Sequence, residues 1–307
     1  MHKDPTSSLD LAISITRAAS QQTYFTIRFL VDRERVPDAY RAYAYFRWVD
    51  DRLDQGRMER LERMAFVDRQ KALLNRCYRG EQPRGLAPEE RMLVDLIRND
   101  RERSSGLQSY LRNMMAVMAF DAERRGRLIA QEELAGYTRW LAVAVTEALH
   151  HFIGSGDASP RGEARYLAAT AAHITHMLRD TLEDTRAGYF NIPRECLEPH
   201  AILPYDVASD AYRRWVHGRV QLAQSYFKAG KTYLAQVENL RCRIAGYAYI
   251  GRFEGVLDAI GREGYRLRSD YRDSKSLEAK LRMTWSALSL AIKPRRRAAT
   301  RRALTAS

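Results

Sequence analysis

Apolar side chains recur at intervals of three and four residues along most of the chain, and stretches that alternate between apolar and polar residues are almost absent. The first spacing places apolar side chains on one face of a helix, whereas alternation would place them on one face of a strand. The pattern therefore predicts an all-α protein. The predicted helices cover residues 9–30, 37–55, 58–78, 88–99, 106–125, 131–154, 162–186, 208–238, 240–264 and 276–292.

The segments between these helices contain proline and glycine, which interrupt regular structure. The longest irregular piece is "GYFNIPRECLEPHAILP" at residues 188–204. None of the segments has the composition of a domain linker, and no internal repeat is visible. We therefore expect residues 1–292 to form a single-domain bundle of about ten helices, followed by a basic, disordered tail at residues 293–307.

The charge of the chain restricts its partners. Lys and Arg number 51 against 38 Asp and Glu, so the formal net charge is +13. Such a charge attracts polyanions, which include nucleic acids, anionic lipid head groups and small diphosphates. Much of the excess lies in "KPRRRAATRR" at residues 293–302, for which we expect peripheral contact with a membrane. The arginines of "DAERRGR" at residues 121–127 are interpreted as part of a solvated helix face.

Several classes of protein are excluded by what the sequence lacks. No nucleic-acid-binding motif with interleaved aromatic residues accompanies the charge, so nucleic acid is not an expected partner. Apolar runs such as "LAVAV" are far shorter than the about 20 residues of a membrane-spanning helix. The N-terminal residues lack a secretory signal pattern, so we expect a cytoplasmic protein. We expect neither disulfides nor a thiolate zinc site, since no CxxC pair occurs among the cysteines, which are Cys77, Cys196 and Cys242.

A first acidic motif stands in the segment "YAYFRWVDDRLD", residues 43–54. Asp50 and Asp54 lie one helical turn apart, with Asp51 beside them and Arg47 just before them. Like charges at this spacing repel each other, by about 0.2–0.5 kcal/mol on an exposed helix. The cluster therefore raises the question of what offsets this repulsion.

A second acidic motif, in "HMLRDTLEDTRAGYF" at residues 176–190, repeats the arrangement. Arg179 is followed by Asp180 and, one turn later, by Asp184, with Glu183 beside it. A single acidic pair at this spacing arises easily by chance. Two such pairs, each preceded by an arginine and embedded among apolar residues, favour a functional role.

The residue types point to a metal-assisted reaction of a phosphate ester. Hard divalent cations take oxygen ligands, and Mg²⁺ typically uses one or two carboxylates together with substrate phosphates. Two aspartate-rich helices that face each other could hold such ions and, through them, a diphosphate leaving group. Arg47 and Arg179 could orient the carboxylates or contact phosphate oxygens. The surrounding aromatic and aliphatic side chains suit a hydrocarbon chain and a carbocation.

These motifs, about 130 residues apart, resemble those of the squalene/phytoene synthase family, the prenyltransferases that join two prenyl diphosphates head to head. The resemblance covers most of residues 12–282, with "RFLVDRERVPDAYRAYAYFRWVDDRLD" as the first motif and "HMLRDTLED" as the second. It implies the all-α bundle of class I terpene synthases, Mg²⁺ or Mn²⁺ as metal, and C15 or C20 prenyl diphosphates as substrates. A reductive last step would need NADPH, for which no glycine-rich motif is present.

The resemblance also implies roles for individual residues of this chain. The implied metal ligands are Asp50, Asp51, Asp54, His176, Asp180 and Asp184, with Glu183 in support. The implied catalytic residues are Asp50, Asp54, Asp180, Asp184, Arg47 and Tyr43. The implied substrate-binding residues are Ser20, Tyr24, Arg47, Tyr137, Arg179, His173, His176 and Phe253.

The chain departs from the family pattern at the second motif. His173 and His176 stand where the family usually has Gln and Asn. Imidazole prefers softer ions than Mg²⁺, such as Mn²⁺ or Zn²⁺. Because both histidines share a helix face with Asp180, these three residues could form a different metal site. Alternatively, the histidines form hydrogen bonds in the cleft or contact phosphate as imidazolium.

Other departures concern the substrate pocket. The family's glycine-containing stretch reads "YTRWLAVAVTEALHHF" at residues 137–152, where larger side chains would narrow the pocket. Asn191 stands where a tyrosine is usual, and Asp270 where a basic residue is expected. A divergent member could therefore use a different second substrate or cyclise a single prenyl diphosphate. A non-catalytic relative that assembles or binds partners is the remaining alternative, which the retained aspartates disfavour.

Overall fold

A computed structural model describes residues 7–54, 58–102, 104–156 and 159–271. Within these ranges every regular element is a helix, which confirms the predicted all-α class. Short 3₁₀ helices cover Arg33–Arg35, Glu163–Tyr166 and Glu198–His200. The α-helices are α1 (Ser8–Ala19), α2 (Gln21–Leu30), α3 (Val36–Asp54), α4 (Arg60–Tyr78), α5 (Pro88–Asn99), α6 (Gly106–Arg124), α7 (Gln131–Phe152), α8 (Leu167–Ala187), α9 (Arg194–Leu197), α10 (Asp210–Leu234) and α11 (Leu240–Arg262).

The predicted helix over residues 9–30 is in fact two helices, broken at Ser20. The backbone of Ser20 is extended, with φ of −155°, and its Oγ accepts a hydrogen bond from the Thr23 N–H at 3.1 Å. Serine is a strongly preferred N-cap because its side chain satisfies a main-chain donor of the first turn. Spacing of apolar residues did not reveal this break, since α1 and α2 have similar periodicity.

The two acidic motifs lie near the carboxyl ends of α3 and α8. Helix α8 ends at Gly188, whose φ of +88° is a left-handed conformation that glycine adopts at low cost. Further back along α8, Ala168 packs tightly against Gly230 of α10. A Cβ atom at Gly230 would lie only 2.6 Å from the Ala168 Cβ. The small side chains thus allow α8 and α10 to approach closely.

The core links the motif helices through a series of packed neighbours. Helix α6 packs against α3, α4 and α7, α7 packs against α8, and α11 packs against α8 and α2. The three cysteines form no disulfide with one another. No helix in the described ranges is both long and apolar enough to cross a membrane. The predicted helix at 276–292 and the tail at 293–307 lie outside the described residues.

Candidate active site

Motif one lies on α3, beside a face that is fully packed. Tyr45 and Val49 are completely buried, and Leu53 is nearly so. These residues recur every four positions, so they fix one side of the helix against the core. Asp50 is half-buried at the edge of this packed face, and Asp54 follows it one turn later.

Arg47 is the basic partner of motif one. Its guanidinium donates a hydrogen bond to Asp51 and lies 3.5 Å from Asp50 Oδ2. Burial acts to lower the pKa of Arg47, but the neighbouring carboxylates outweigh burial and raise it. Arg47 is therefore firmly charged and orients two of the three aspartates.

The carboxylates of motif one nevertheless carry negative charge that the protein does not balance. Burial raises the pKa of Asp50 to about 6, and the neighbouring carboxylate of Asp54 adds to the shift. Burial also raises the pKa of Asp54, with a further contribution from Asp121. A cation bound beside these groups would favour their ionised forms.

In motif two, Asp180 is held by two neighbours on α8. Arg179 donates to it from Nε at 2.6 Å and from Nη2 at 2.7 Å, and His176 Nε2 lies 3.0 Å from Asp180 Oδ2. Burial acts to raise the pKa of Asp180, but these contacts outweigh burial and bring it well below its usual range. Asp180 is therefore ionised, and its carboxylate is paired with the guanidinium of Arg179.

Asp184, one turn further along α8, behaves in the opposite way. Burial raises the pKa of Asp184 to about 6, and the charge of Asp180 adds to the shift. The side-chain amide of Asn191 donates to Asp184 Oδ2 at 2.7 Å and partly offsets the increase. Each motif thus contains one half-buried carboxylate whose charge lacks a full counter-charge.

A further carboxylate, Asp121 on α6, connects the two motifs. Its Oδ1 accepts a hydrogen bond from Arg124 Nε at 2.7 Å. Arg124 also donates to Asn191 Oδ1 at 2.9 Å, and Asn191 in turn donates to Asp184. A continuous chain of hydrogen bonds therefore runs from Asp121 to motif two, while the charge of Asp121 raises the pKa of Asp54 in motif one.

Main-chain contacts hold the ends of α6 and α8 together beside this network. The Gly126 N–H donates to the Gly188 carbonyl at 2.7 Å, and Arg125 Nε donates to the Ala187 carbonyl at 3.0 Å. The carbonyls at a helix end lack partners within the helix, so these donors satisfy them. The ends of the two helices are fixed to each other, with the carboxylates one to two turns away.

The interpretation of residues 121–127 as a solvated helix face is wrong for Arg124, which is 5% exposed. Its Cζ lies 4.8 Å from the ring centroid of Tyr137, whose hydroxyl donates to Asp121 Oδ2 at 2.9 Å. A buried arginine needs a charged partner. Asp121 supplies it, and the predicted site residue Tyr137 joins the same network.

Helix α11 brings a further basic residue to both motifs. Burial lowers the pKa of Arg252, and the like charge of Arg179 lowers it further. Asp180 on α8 and Tyr43 on α3 act on the pKa of Arg252 in the opposite direction. Arg252 therefore lies within electrostatic reach of one predicted site residue from each motif helix.

His173 and His176 do not form the three-residue metal site that their spacing allowed. Within the described ranges, no three His, Cys, Asp or Glu side chains converge as metal ligands. His173 is 4% exposed and packs edge-on to Tyr137 at 5.0 Å, and neither ring nitrogen has a hydrogen-bond partner among the described residues. Burial lowers its pKa well below the usual range, so the ring is neutral. His176 is half-exposed between Asp180 and the ring of Phe253, at 6.4 Å.

Two predicted substrate-binding residues lie at the start of α2. Ser20 caps this helix, and the Tyr24 hydroxyl accepts a hydrogen bond from Arg28 at 3.3 Å. The Tyr24 carbonyl accepts a hydrogen bond from Tyr40 of α3 at 3.2 Å. In the part of the chain that the structure describes, no hydrogen bond or ion pair joins Ser20 or Tyr24 to the motif carboxylates. Their role in substrate binding stays a prediction.

The donor groups of the two motifs fit Mg²⁺ better than a softer metal. Each motif offers a pair of carboxylates one turn apart, and Mg²⁺ commonly binds one or two carboxylates while water or phosphate completes its octahedral shell. Burial raises the pKa values of Asp50 and Asp184 to about 6, and a bound cation would favour their ionised forms. Neither pair is a complete metal site by itself, so phosphate oxygens would have to supply the remaining ligands.

Sequence reasoning missed three residues that the fold brings to the motifs. Asp121 and Arg252 carried no recognisable motif of their own. Tyr189 stands five residues after Asp184, and burial raises its pKa, with further contributions from Asp121 and Asp54. The one available signal was Asp121 preceding Arg124 by one turn, a spacing that favours an ion pair.

Comparisons with known proteins identify the family of the chain and its fold. A family model described as squalene/phytoene synthase matches residues 16–285. The phytoene synthase of Cereibacter sphaeroides is 26% identical over an alignment of 273 residues, and the alignment covers 84% of this chain and 73% of that protein.

Two solved structures share the fold. Squalene synthase HpnC from Alicyclobacillus acidocaldarius superposes with a TM-score of 0.65 at 22% identity, over 85% of this chain and 95% of that one. A dehydrosqualene synthase in complex with a ligand gives a TM-score of 0.69 at 16% identity, over 92% of this chain and 95% of that one. Since the family model covers most of its length, the chain belongs to the squalene/phytoene synthase family, the all-α transferases of isoprenoid biosynthesis.

Proposed function

We propose that this protein is a Mg²⁺-dependent prenyltransferase that ionises an allylic prenyl diphosphate and joins it head to head with a second prenyl diphosphate. One observation carries the proposal. The charge of Asp121 acts on Asp50 of α3, its partner Arg124 reaches Asp184 of α8 through Asn191, and burial raises the pKa values of Asp50 and Asp184 to about 6. Such a site has acceptors for cations and too little positive charge of its own.

The two aspartate pairs would hold the metal, which would neutralise the diphosphate and make it a better leaving group. Arg47 keeps Asp50 and Asp51 oriented toward this position. Arg179 forms an ion pair with Asp180. When Asp180 binds a metal ion, the Arg179 guanidinium would instead contact the phosphate oxygens. Arg252 is less firmly paired and would contact the same diphosphate.

Aromatic residues around the motifs would protect the cation that forms when the diphosphate leaves. Tyr43, Tyr137 and Phe253 lie near the carboxylates, and Tyr137 and Phe253 are buried. Aromatic faces attract a carbocation and exclude water that would quench it. The double bond of the second prenyl unit would then attack C1 of the cation, and loss of a proton from the resulting tertiary cation would close the ring of a cyclopropylcarbinyl diphosphate. A second ionisation, with loss of the second diphosphate, would lead to the product.

The test is incubation of the purified protein with C15 or C20 prenyl diphosphate and Mg²⁺, with and without NADPH. We expect release of inorganic pyrophosphate and a hydrocarbon built from two identical chains. Chelation of the metal should stop the release. No pyrophosphate from either substrate would contradict the proposal and favour a non-catalytic relative.

A divergent second substrate is the other candidate within this reaction class. Ala142 and Thr146 are buried on α7, and the neutral ring of His173 lies against Tyr137, where the family usually has an amide side chain. These changes alter both the volume and the polarity of the pocket. A product that contains only one prenyl chain, whether cyclised or joined to another molecule, would identify this case.

The extent of the domain and the role of the tail belong to the same proposal. We place residues 1–292 in the catalytic domain and assign residues 293–307 to peripheral contact with anionic lipid, from their charge alone.

A further inference from the structure

The outward face of α2 carries two exposed phenylalanines. Phe25 is 49% exposed and Phe29 67%, and they lie one turn apart on the same stripe of the helix. Their rings stack with centroids 6.1 Å apart and planes only 8° from parallel. Large exposed aromatic side chains in adjacent positions usually mark a surface that contacts something apolar.

The residues that follow Asp10 on α1 and the residues of α2 carry only positive charges. Between residues 11 and 31 the chain has two arginines and no carboxylate. The Arg28 Cζ lies 5.9 Å from the centroid of Phe29, and the Arg17 Cζ lies 5.8 Å from the centroid of Tyr24. Both arginines are exposed. The aromatic stripe is thus flanked by cations on the same helices.

The beginning of α11 lies against the end of α2 and adds another apolar residue. Arg241 donates from Nη1 to the Leu30 carbonyl at 3.2 Å, and the preceding Leu240 is 44% exposed. Arg241 also forms an ion pair with Asp32, just beyond α2. We refer to Phe25, Phe29 and Leu240, with Arg17 and Arg28, as the aromatic–basic face.

The exposed area of the two phenylalanines is small compared with the area that a stable protein interface buries. Taking about 200 Å² for a phenylalanine, Phe25 and Phe29 together expose about 230 Å². A standard interface buries about 800 Å² on each partner. Exposed aromatic residues beside arginines are instead the composition with which helices lie in the head-group region of a membrane.

We propose that the aromatic–basic face docks onto the surface of an anionic lipid bilayer. Phe25 and Phe29 would enter the head-group region, and Arg17 and Arg28 would contact lipid phosphates. This contact is separate from the one assigned to residues 293–307, because it depends on aromatic side chains of a folded helix.

The position of α2 gives the docking a consequence for catalysis. Its inner side packs against α3, where Tyr40 donates to the Tyr24 carbonyl, and α3 carries motif one. A bilayer at the outer side of α2 would lie next to the helix that holds Asp50. Apolar prenyl chains would then reach the site from the bilayer, a step that rests on the proposed function.

The test is sedimentation of the full chain with vesicles of phosphatidylcholine and phosphatidylglycerol in about equal amounts, without any prenyl diphosphate. The informative variant is the double substitution Phe25→Ser/Phe29→Ser. Its matched control is Leu61→Ser, which removes an 80% exposed leucine from α4. In a second measurement, Phe29→Trp carries an indole whose quenching by brominated lipid reports insertion.

We expect wild type and Leu61→Ser to bind equally, the double variant to bind at least about tenfold more weakly, and Phe29→Trp to be quenched more than wild type. Equal binding by the double variant and wild type would overturn the proposal. So would a wild-type dimer that the double variant converts to monomers, because the face would then join two copies. The vesicle assay contains no substrate, so a negative result in it would not contradict the proposed reaction. Conversely, a protein that releases no pyrophosphate could still bind vesicles, so the two proposals are tested separately.

Discussion

Glu90, at the contact between α4 and α5, is fully buried and Asp50, on α3, is half-buried, and the protein surrounds the two carboxylates differently. Arg69 donates to both oxygens of Glu90 at 2.7 Å, and the Gln70 amide and the Ala87 N–H donate at 3.0 and 2.9 Å. Burial acts to raise the pKa of Glu90, but these donors outweigh it and lower the pKa to about 2. Asp50 has one longer contact, with the Arg47 guanidinium at 3.5 Å, and burial together with the charge of Asp54 raises its pKa to about 6.

The difference in hydrogen-bond partners and pKa distinguishes a carboxylate with a structural role from a carboxylate suited to bind a cation. Both carboxylate oxygens of Glu90 accept hydrogen bonds from the protein, so the charge of Glu90 stabilises the fold. Asp50 and Asp184 have fewer donors than Glu90, so their negative charges destabilise the folded state unless a cation is bound beside them. Asp121 is intermediate, since it is paired with Arg124 and still contributes to the charge imbalance of motif one.

The largest expected effect comes from Asp50→Asn. We expect pyrophosphate release to fall about a thousandfold, because an amide cannot hold the cation that the leaving group needs. The variant should unfold at the same temperature as wild type or a higher one, since the lost charge was poorly neutralised. Steady-state assays and calorimetry measure the two quantities.

A matched control for this change is Asp68→Asn, which alters a 69% exposed aspartate on α4. It should leave both activity and melting temperature unchanged. Turnover near the wild-type rate in Asp50→Asn would refute the metal-binding role of motif one.

The next effect is that of Asp121→Asn, which should lower pyrophosphate release about a hundredfold. The substitution leaves the buried Arg124 without its counter-charge, so the hydrogen bonds to Asn191 and Asp184 would shift. Unlike Asp50→Asn, it should also lower the melting temperature. Tyr137→Phe removes one hydrogen bond from the same aspartate and should have a smaller effect. If Asp121→Asn affects neither quantity, the network does not link the two motifs.

Glu90→Gln should have the opposite effect to Asp50→Asn. It should lower the stability of the protein and leave the activity of each folded molecule unchanged. We expect the free energy of unfolding to fall by about 2 kcal/mol, as measured by urea denaturation, because charged hydrogen bonds are lost in a buried place. The exposed Glu81, which pairs with Arg76, provides the control through Glu81→Gln, and this change should leave the urea midpoint where it is.

The same carboxylate predicts how wild-type stability depends on pH. Because the pKa of Glu90 is lower in the folded than in the unfolded state, its contribution is complete above about pH 5 and declines as the pH falls toward about 2. Urea midpoints measured down this range should fall more steeply for wild type than for Glu90→Gln. Parallel curves for the two proteins would show that Glu90 is not a stabilising charge.

The smallest expected effect is that of His176→Asn on metal preference. An amide oxygen favours Mg²⁺, whereas imidazole favours softer ions. We therefore expect the ratio of activity with Mg²⁺ to activity with Mn²⁺ to rise a few-fold, about 1 kcal/mol or less. An unchanged ratio would show that His176 only positions Asp180, as their 3.0 Å contact allows.

Much of the fold and part of the site could be predicted because helices and motifs are local. Apolar residues at intervals of three and four predict helices whatever they pack against, and Asp50 and Asp54 share a face by spacing alone. The break at Ser20 was missed because an N-cap interrupts the backbone without interrupting the apolar pattern. The burial of Arg124 was missed because its partners come from other helices.

What the sequence by itself determined is the helical class and the chemistry available in each motif, since both follow from residue types and spacings within a few turns. Only the tertiary structure decided that Asp121, Arg124 and Asn191 join motif one to motif two, and that Glu90 is fully paired while Asp50 is not. The physical reason is that a pKa and a hydrogen bond depend on burial and on neighbours from distant segments. Packing alone brings these segments together.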